Sequence, residues 1–396
     1  MFVNLIDKLN IRTFTCKMPS VYLDCNATTP LDPAVREVFL RYIDVEYGNE
    51  GSRTHEFGAR AKAAVQKARD HVAKLVDCQR EEVLFTSGAT ESNNLAILGL
   101  QEYAVKSGKR HIITTGIEHK AVLEPIEALK KRGFEVTIVP SSESGTISVS
   151  DVVSQLRPDT CLVSVMHVNN ETGAIQPIED LCNQLAGHEA YLHMDAAQGF
   201  GKCSEGMLNK RVDLISVSGH KIYAPKGIGA LIARRRGISK TPLNPILFGG
   251  GQERGLRPGT LPVALIAALG EAANQAILNG SKRRQICEEI KAEALKALGQ
   301  AGGIPVGDQA RVLPNTLNMR FPKIDSEAMI VALQGIAAVS NGSACTSSSY
   351  KPSHVLKAMG FDDMQSTRCV RFSWCHLTPE VEWNSIRDKI SSLGIN

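Results

Sequence analysis

The sequence contains no C-x-x-C pair, no internal repeat, no low-complexity tract, and no apolar run near the roughly 18 residues that a membrane span needs. Each absence removes a class of protein. Without paired cysteines there is no zinc-ribbon or redox-dithiol motif, and ten cysteines scattered over 396 residues do not form a disulfide framework. That usage fits a reducing cytoplasm. Charge of one sign is also lacking: 45 basic residues stand against 41 acidic ones, a net +4. No direct nucleic-acid surface is therefore expected, and Arg234-Arg235-Arg236 and Lys282-Arg283-Arg284 are short enough to be solvated faces. Residues 1–17 mix Asp7, Lys8, Arg12 and Lys17 among apolar residues and carry no small-residue cleavage site, which argues against a signal peptide. Residues 1–20 are read as an N-terminal extension, with Met18 the expected native start just before the first strand-like segment.

The remaining composition, 43% apolar and 22% charged, is that of a globular protein long enough for two domains. Apolar residues Val65, Ala68, Val72 and Leu75 recur three and four apart and predict a helix over 59–76. Short apolar strands and helices then alternate. Strands are predicted at 82–85, 111–114, 135–139, 161–168, 190–194, 214–217 and 229–233, with helices at 91–105 and 122–131. Such alternation means a mostly parallel sheet covered by helices on both faces. A long helix is predicted from Leu261, with a break at Gly280, to Leu298. Beyond it, separated strands (316–321, 337–340, 369–374) and helices (327–333, 355–359, 380–390) predict a smaller α+β domain. The expected division is a large domain over 21–262, whose first segment contributes to the small one, and a small domain over 263–396.

The polar motifs fall at the carboxyl ends of these strands, where ligands of parallel sheets collect. Ser218-Gly219-His220-Lys221 follows one strand, and Asp195 ends another. A lysine amine and a carboxylate so placed are the minimum for pyridoxal phosphate: the amine forms a Schiff base with its aldehyde, and the acid keeps the pyridine nitrogen protonated. Thr86-Ser87-Gly88-Ala89-Thr90-Glu91-Ser92 lies between a strand and a helix. It reads either as an ordinary helix cap or as a phosphate cradle made by Ala89 and Thr90, to which Ser218 and His220 add contacts. His119, after another strand, is placed to stack on a ring and move protons. Asn170 and Gln198 offer amides for a phenolic oxygen or a carboxylate. Finally, Ser340 to Ser349 is a run of small polar residues with nothing to pack. It reads as a loop, and the thiol at its centre, Cys345, is not a core filler. Cys25 and Cys161 read as core residues.

Taken together these motifs resemble the pyridoxal-phosphate-dependent cysteine desulfurases of the NifS/IscS family. The likeness runs from Tyr22 through Ala27-Thr28-Thr29-Pro30, Glu118-His119-Lys120, Glu253 to Thr260 and Ser343-Ala344-Cys345-Thr346 to Arg371-Phe372-Ser373. It implies fold type I of the pyridoxal-phosphate enzymes, the aspartate aminotransferase-like α/β architecture. It also implies roles. Lys221 is the Schiff-base lysine, Asp195 pairs with the pyridine nitrogen, Gln198 bonds the phenolic oxygen, and His119 stacks on the ring. Ala89, Thr90, Ser218 and His220 hold the phosphate, with Thr260 contributed across a homodimer interface. Asn170 and Arg371 hold the substrate carboxylate, Arg371 as a bidentate fork. Cys345 accepts sulfur from L-cysteine and passes it to an acceptor protein, as in the class with a long Ser/Thr-rich loop. The Asp24-Cys25-Asn26 start and short end look more like desulfurases of DNA phosphorothioation systems than those of iron–sulfur or tRNA thiolation pathways. Another lyase of the same fold, such as a selenocysteine lyase, or a non-catalytic adaptor for sulfur carriers, stays open at this point.

Overall fold

The computed structural model describes residues 20–342 and 352–394. The N-terminal extension, Met18 and Cys345 lie outside the described residues. Among the described residues twelve strands are formed. The first is β1 (Val21–Tyr22), and seven more follow: β2 (Val83–Thr86), β3 (His111–Thr115), β4 (Glu135–Val139), β5 (Thr160–Met166), β6 (Tyr191–Asp195), β7 (Leu214–Ser218) and β8 (Gly229–Ala233). The last four are β9 (Ile304–Pro305), β10 (Thr316–Arg320), β11 (Ala337–Ala338) and β12 (Cys369–Ser373).

A seven-stranded sheet runs in the order β2-β8-β7-β6-β5-β3-β4. Only β8 is antiparallel to its neighbours, so β2, β3, β5, β6 and β7 all end at one edge. Except for the edge strand β4, the strands are buried along almost their whole length because both faces are covered. Ile113, Val163, Leu192 and Ile215 feed one core, while Ile112, Leu162, Tyr191 and Leu214 feed the other. A third core lies under the antiparallel sheet β12-β10-β9 and includes Leu317, Phe372 and Trp374 with Leu298 and Ile386. The chain reaches this part twice. Val21–Tyr22 pairs in parallel with Ala337–Ala338, and Asp24 bridges to Ser373.

The predicted strands and the helix at 59–76 (Glu56–Leu75) stand. Three expectations need correction. The helix expected over 91–105 is two, Ala89–Leu98 and Gln101–Ser107, divided at Gly99, whose Cβ would lie 2.3 Å from the Leu95 carbonyl and 3.0 Å from that of Asn244. The long helix does not break at Gly280 but runs unbroken over Val263–Gln300. A single interior glycine costs only about 1 kcal/mol, which the helix-forming residues on both sides outweigh. The strand expected over 337–340 shortens to Ala337–Ala338, with Ser340 making a lone bridge to Arg371.

The long helix crosses Glu56–Leu75 so closely that a Cβ on Gly270 would lie 2.5 Å from the Cα of Ala68. Gly270→Ala should lower stability by about 1–3 kcal/mol through overpacking, although alanine is the better helix former. A drop in the urea midpoint checks this; an unchanged or raised midpoint would show that the helices part at no cost.

Candidate active site

At the common strand edge lies a cavity of about 1120 Å³. Its lining includes Lys221, Asp195, Gln198, His119, Asn170, Arg371, Ser218, His220, Ala89 and Thr90, so the structure gathers ten of the predicted site residues. Thr260 is not among them. It sits on an exposed surface concavity with Phe39, Tyr42, Ile43 and Tyr47.

Lys221 occupies a 3₁₀ turn, Gly219–Lys221, directly after β7. Its Nζ donates to the backbone carbonyls of Asn26 and, at 2.8 Å, Ala27. Asp195 is the last residue of β6, the neighbouring strand. One of its oxygens accepts from Asn93 Nδ2 at 2.8 Å and the other from the Ala197 amide at 3.0 Å. Gln198 Nε2 donates to the Asn26 carbonyl at 2.9 Å. His119 caps the helix Lys120–Lys130: its Nδ1 accepts from the Ala121 amide at 3.1 Å, which leaves the ring proton on Nε2. Desolvation lowers its pKa, with Asp195 opposing and Lys221 adding to the fall.

The other end of the cavity is built for an anion. Gly88, at φ 154°, turns the chain from β2 into the helix Ala89–Leu98, and no side chain caps that helix. Its first amides and positive end are thus left to the cavity beside Ser218. Glu91 takes the Ser87 amide at 2.7 Å and is itself held by Arg257 at 3.0 Å, which steadies the turn. His220 hydrogen-bonds Thr28 Oγ1 at 3.2 Å, and burial pushes its pKa down to about 4, so it meets an anion as a neutral donor.

Opposite stands Arg371, on β12. Its Nη1 donates to the Asn170 carbonyl at 2.9 Å and Nη2 to Asp24 Oδ1 at 2.6 Å. Three residues that hold the others escaped assignment from sequence: Asn93, Asn26 and Asp24. Asn93 had a signal, a polar residue on the buried side of a helix beside Leu95 and Ala96.

Pyridoxal phosphate fits these residues. Gln198 Oε1, Asn93 Oδ1 and Arg371 Nε are buried at the cavity with no protein partner among the described residues, so polar acceptors and donors remain for a polar guest. A lysine, an acid and an anion cradle converge on the same space. No group of residues suited to a metal ion occurs among the described residues.

Beneath His119, Glu118 is wholly buried. One oxygen accepts from Thr115 Oγ1 at 2.7 Å and the Met166 amide at 2.8 Å; the other has no partner. Burial lifts its pKa to about 8. A carboxyl raised above its unfolded value stabilises the fold at low pH and loses that contribution as pH climbs from about 4.5 through about 8. Glu118→Gln should therefore flatten the fall in thermal midpoint over that window. An equal fall in both proteins would show that Glu118 is not the group titrating.

Comparison with known proteins agrees with this geometry. The class-V aminotransferase family model matches residues 21–382. The mitochondrial cysteine desulfurase of Saccharomyces cerevisiae is 42% identical over 372 residues, 94% of this chain and 74% of that protein. The crystal structure of DndA from Streptomyces lividans is 49% identical with a TM-score of 0.79, covering 88% of this chain and 98% of that one. SspA, solved in complex with cysteine, is 35% identical with a TM-score of 0.79, over 91% and 100% of the two chains. With its strand-edge cavity built as described, the chain belongs to the class-V aminotransferase family, as a pyridoxal-phosphate-dependent cysteine desulfurase of the NifS/IscS type.

Proposed function

We propose that this cavity binds pyridoxal phosphate through Lys221 and Asp195, takes L-cysteine against Arg371, and delivers its sulfur to Cys345 with release of L-alanine. The observation that carries the reading is the convergence of Lys221, Asp195, the Ala89–Thr90 helix end and Arg371 on one space. When bound, the cofactor supplies an electron sink for the carbon that loses its proton. The protein does the rest. Ala89, Thr90, Ser218 and His220 hold the phosphate, and Gln198 and His119 fix the ring's edge and face. Asn170 and the Arg371 guanidinium orient the substrate carboxylate, aided by Asp24 on the far side of the fork. The Lys221 amine and His119 Nε2 are placed to move protons at the substrate carbons. The Cys345 thiolate bonds to the substrate sulfur as the carbon–sulfur bond breaks, and the carbon fragment takes a proton and leaves as alanine.

Thr260 reaches a cavity only in a homodimer, where it completes the partner's phosphate site. The exposed concavity around it, with Tyr47 and Ile43 open to solvent, supports that reading. We further propose that the sulfur acceptor belongs to DNA phosphorothioate modification. The 49% identity to DndA supports this over iron–sulfur assembly or tRNA thiolation. No helix among the described residues is long and apolar enough to cross a membrane, and the proposed setting is the cytoplasm.

Incubation of the holoenzyme with L-cysteine should release alanine and place a persulfide on Cys345, both read by mass spectrometry. Cys345→Ala should lose the persulfide and lower alanine release by roughly 10²-fold or more, the scale of losing a nucleophile. Undiminished alanine release would mean a lyase that does not use this thiol.

A further inference from the structure

Lys202 carries a fully buried ammonium nitrogen with no hydrogen-bond partner among the described residues. Facing it are three thiols that the desulfurase chemistry does not use: Cys25, Cys287 and Cys375, with exposures of 1%, 5% and 0%. A lone buried cation is costly, and the cost falls when a neighbour ionises beside it. Cys25 and Cys375 pack in one buried cluster with Tyr223, and Thr378 Oγ1 donates to Cys375 Sγ at 3.8 Å. In this pair Cys25 keeps its proton. The neighbouring Cys25, with Lys202 adding to the effect, brings Cys375 down to about 6. Tyr223 and Cys287 complete the surround, with His376 edge-on to the Tyr223 ring at 4.6 Å and Arg283 over it at 5.2 Å. The backbones are already joined, since the Cys25 amide donates to the Ser373 carbonyl at 3.0 Å.

We propose that Cys25 and Cys375 are a reversible disulfide site, served by Lys202, that closes under a hydroperoxide and weakens substrate binding in the adjoining cavity. The Cys375 thiolate attacks one peroxide oxygen. The O–O bond breaks, and hydroxide leaves and takes up a proton as water. Cys25 sulfur then attacks the sulfenic sulfur, the S–O bond breaks, and a second water leaves with the Cys25 proton. Two thiols lose two electrons, and one peroxide becomes two waters. The near-zero exposure of both sulfurs restricts the oxidant to one about the size of water and excludes bulky disulfides. The link to binding is the position of Cys25 between Asp24, which holds Arg371, and Asn26, whose carbonyl holds Lys221 and Gln198. Contraction from a non-bonded packing contact to a bond of about 2.05 Å pulls this segment toward Cys375.

The test uses Cys345→Ala holoenzyme, so that the loop thiol does not compete, treated with hydrogen peroxide, alkylated and mapped. A peptide pair joined through Cys25 and Cys375 and broken by dithiothreitol is expected. It should be absent after oxidised glutathione and absent in Cys25→Ala and Cys375→Ala. Lys202→Met, which replaces an unpartnered cation by an apolar chain of similar length, should form the link about tenfold more slowly. Affinity for L-alanine, which carries no thiol and shares the substrate carboxylate, should fall several-fold in the oxidised protein and recover on reduction. This arm rests on Arg371 binding that carboxylate, whereas the mapping arm does not. Free, alkylatable Cys25 and Cys375 after peroxide would overturn the site. An unchanged rate in Lys202→Met would overturn the role of the lysine, and unchanged alanine affinity in linked protein would overturn the effect on binding.

Discussion

The arrangement depends on how one short segment, residues 24–27, holds the Lys221 amine. Lys221 Nζ is satisfied by the carbonyls of Asn26 and Ala27, and the same Asn26 carbonyl takes Gln198. The segment 24–27 bears this load because it is tied on both sides. Asn26 donates to the Asn170 carbonyl at 3.1 Å and to Thr316 Oγ1 at 2.9 Å, and its own amide donates to Ser373 Oγ at 2.9 Å. The large sheet supplies Lys221 and Asp195 and the small sheet supplies Arg371. The short crossing segment sets the spacing between them.

The electrostatics follow the same economy. Burial drives two acids toward their neutral form, Glu118 outside the cavity lining and Glu171 within it; Glu171 accepts from Ser353 Oγ at 2.5 Å. His220 is neutral. Facing the cavity are Lys221, Lys120, Lys226, Arg371 and an uncapped helix end, with Asp195 oriented by two donors. That set suits a guest with an anionic phosphate at one end and a carboxylate at the other.

Much of this was legible in the sequence. Strands buried on both faces are continuous apolar runs, so 161–168 or 214–217 could hardly be missed, and each ended in the polar residue that mattered. Lys221, Asp195, His119 and the Gly88 turn follow from that rule. What escaped was whatever depends on contacts distant in the chain. Asn93 reaches Asp195 across 102 positions and Asp24 reaches Arg371 across 347, and neither spacing leaves a periodic trace. Helix limits were misjudged at glycines: at Gly99 close packing divides the helix, while Gly280, with nothing packed on it, does not interrupt one. The cluster of Lys202 with Cys25, Cys287 and Cys375 was invisible for the same reason, since four isolated residues become neighbours only in the fold.

The most direct measurement is to fix the bound cofactor chemically. Protein loaded with pyridoxal phosphate is reduced with borohydride, digested and mapped by mass spectrometry. The account requires the reduced cofactor to be attached to Lys221 alone, with attachment abolished in Lys221→Ala. Attachment at another cavity lysine, such as Lys226 or Lys120, or none at all in protein that retains the cofactor, would contradict it.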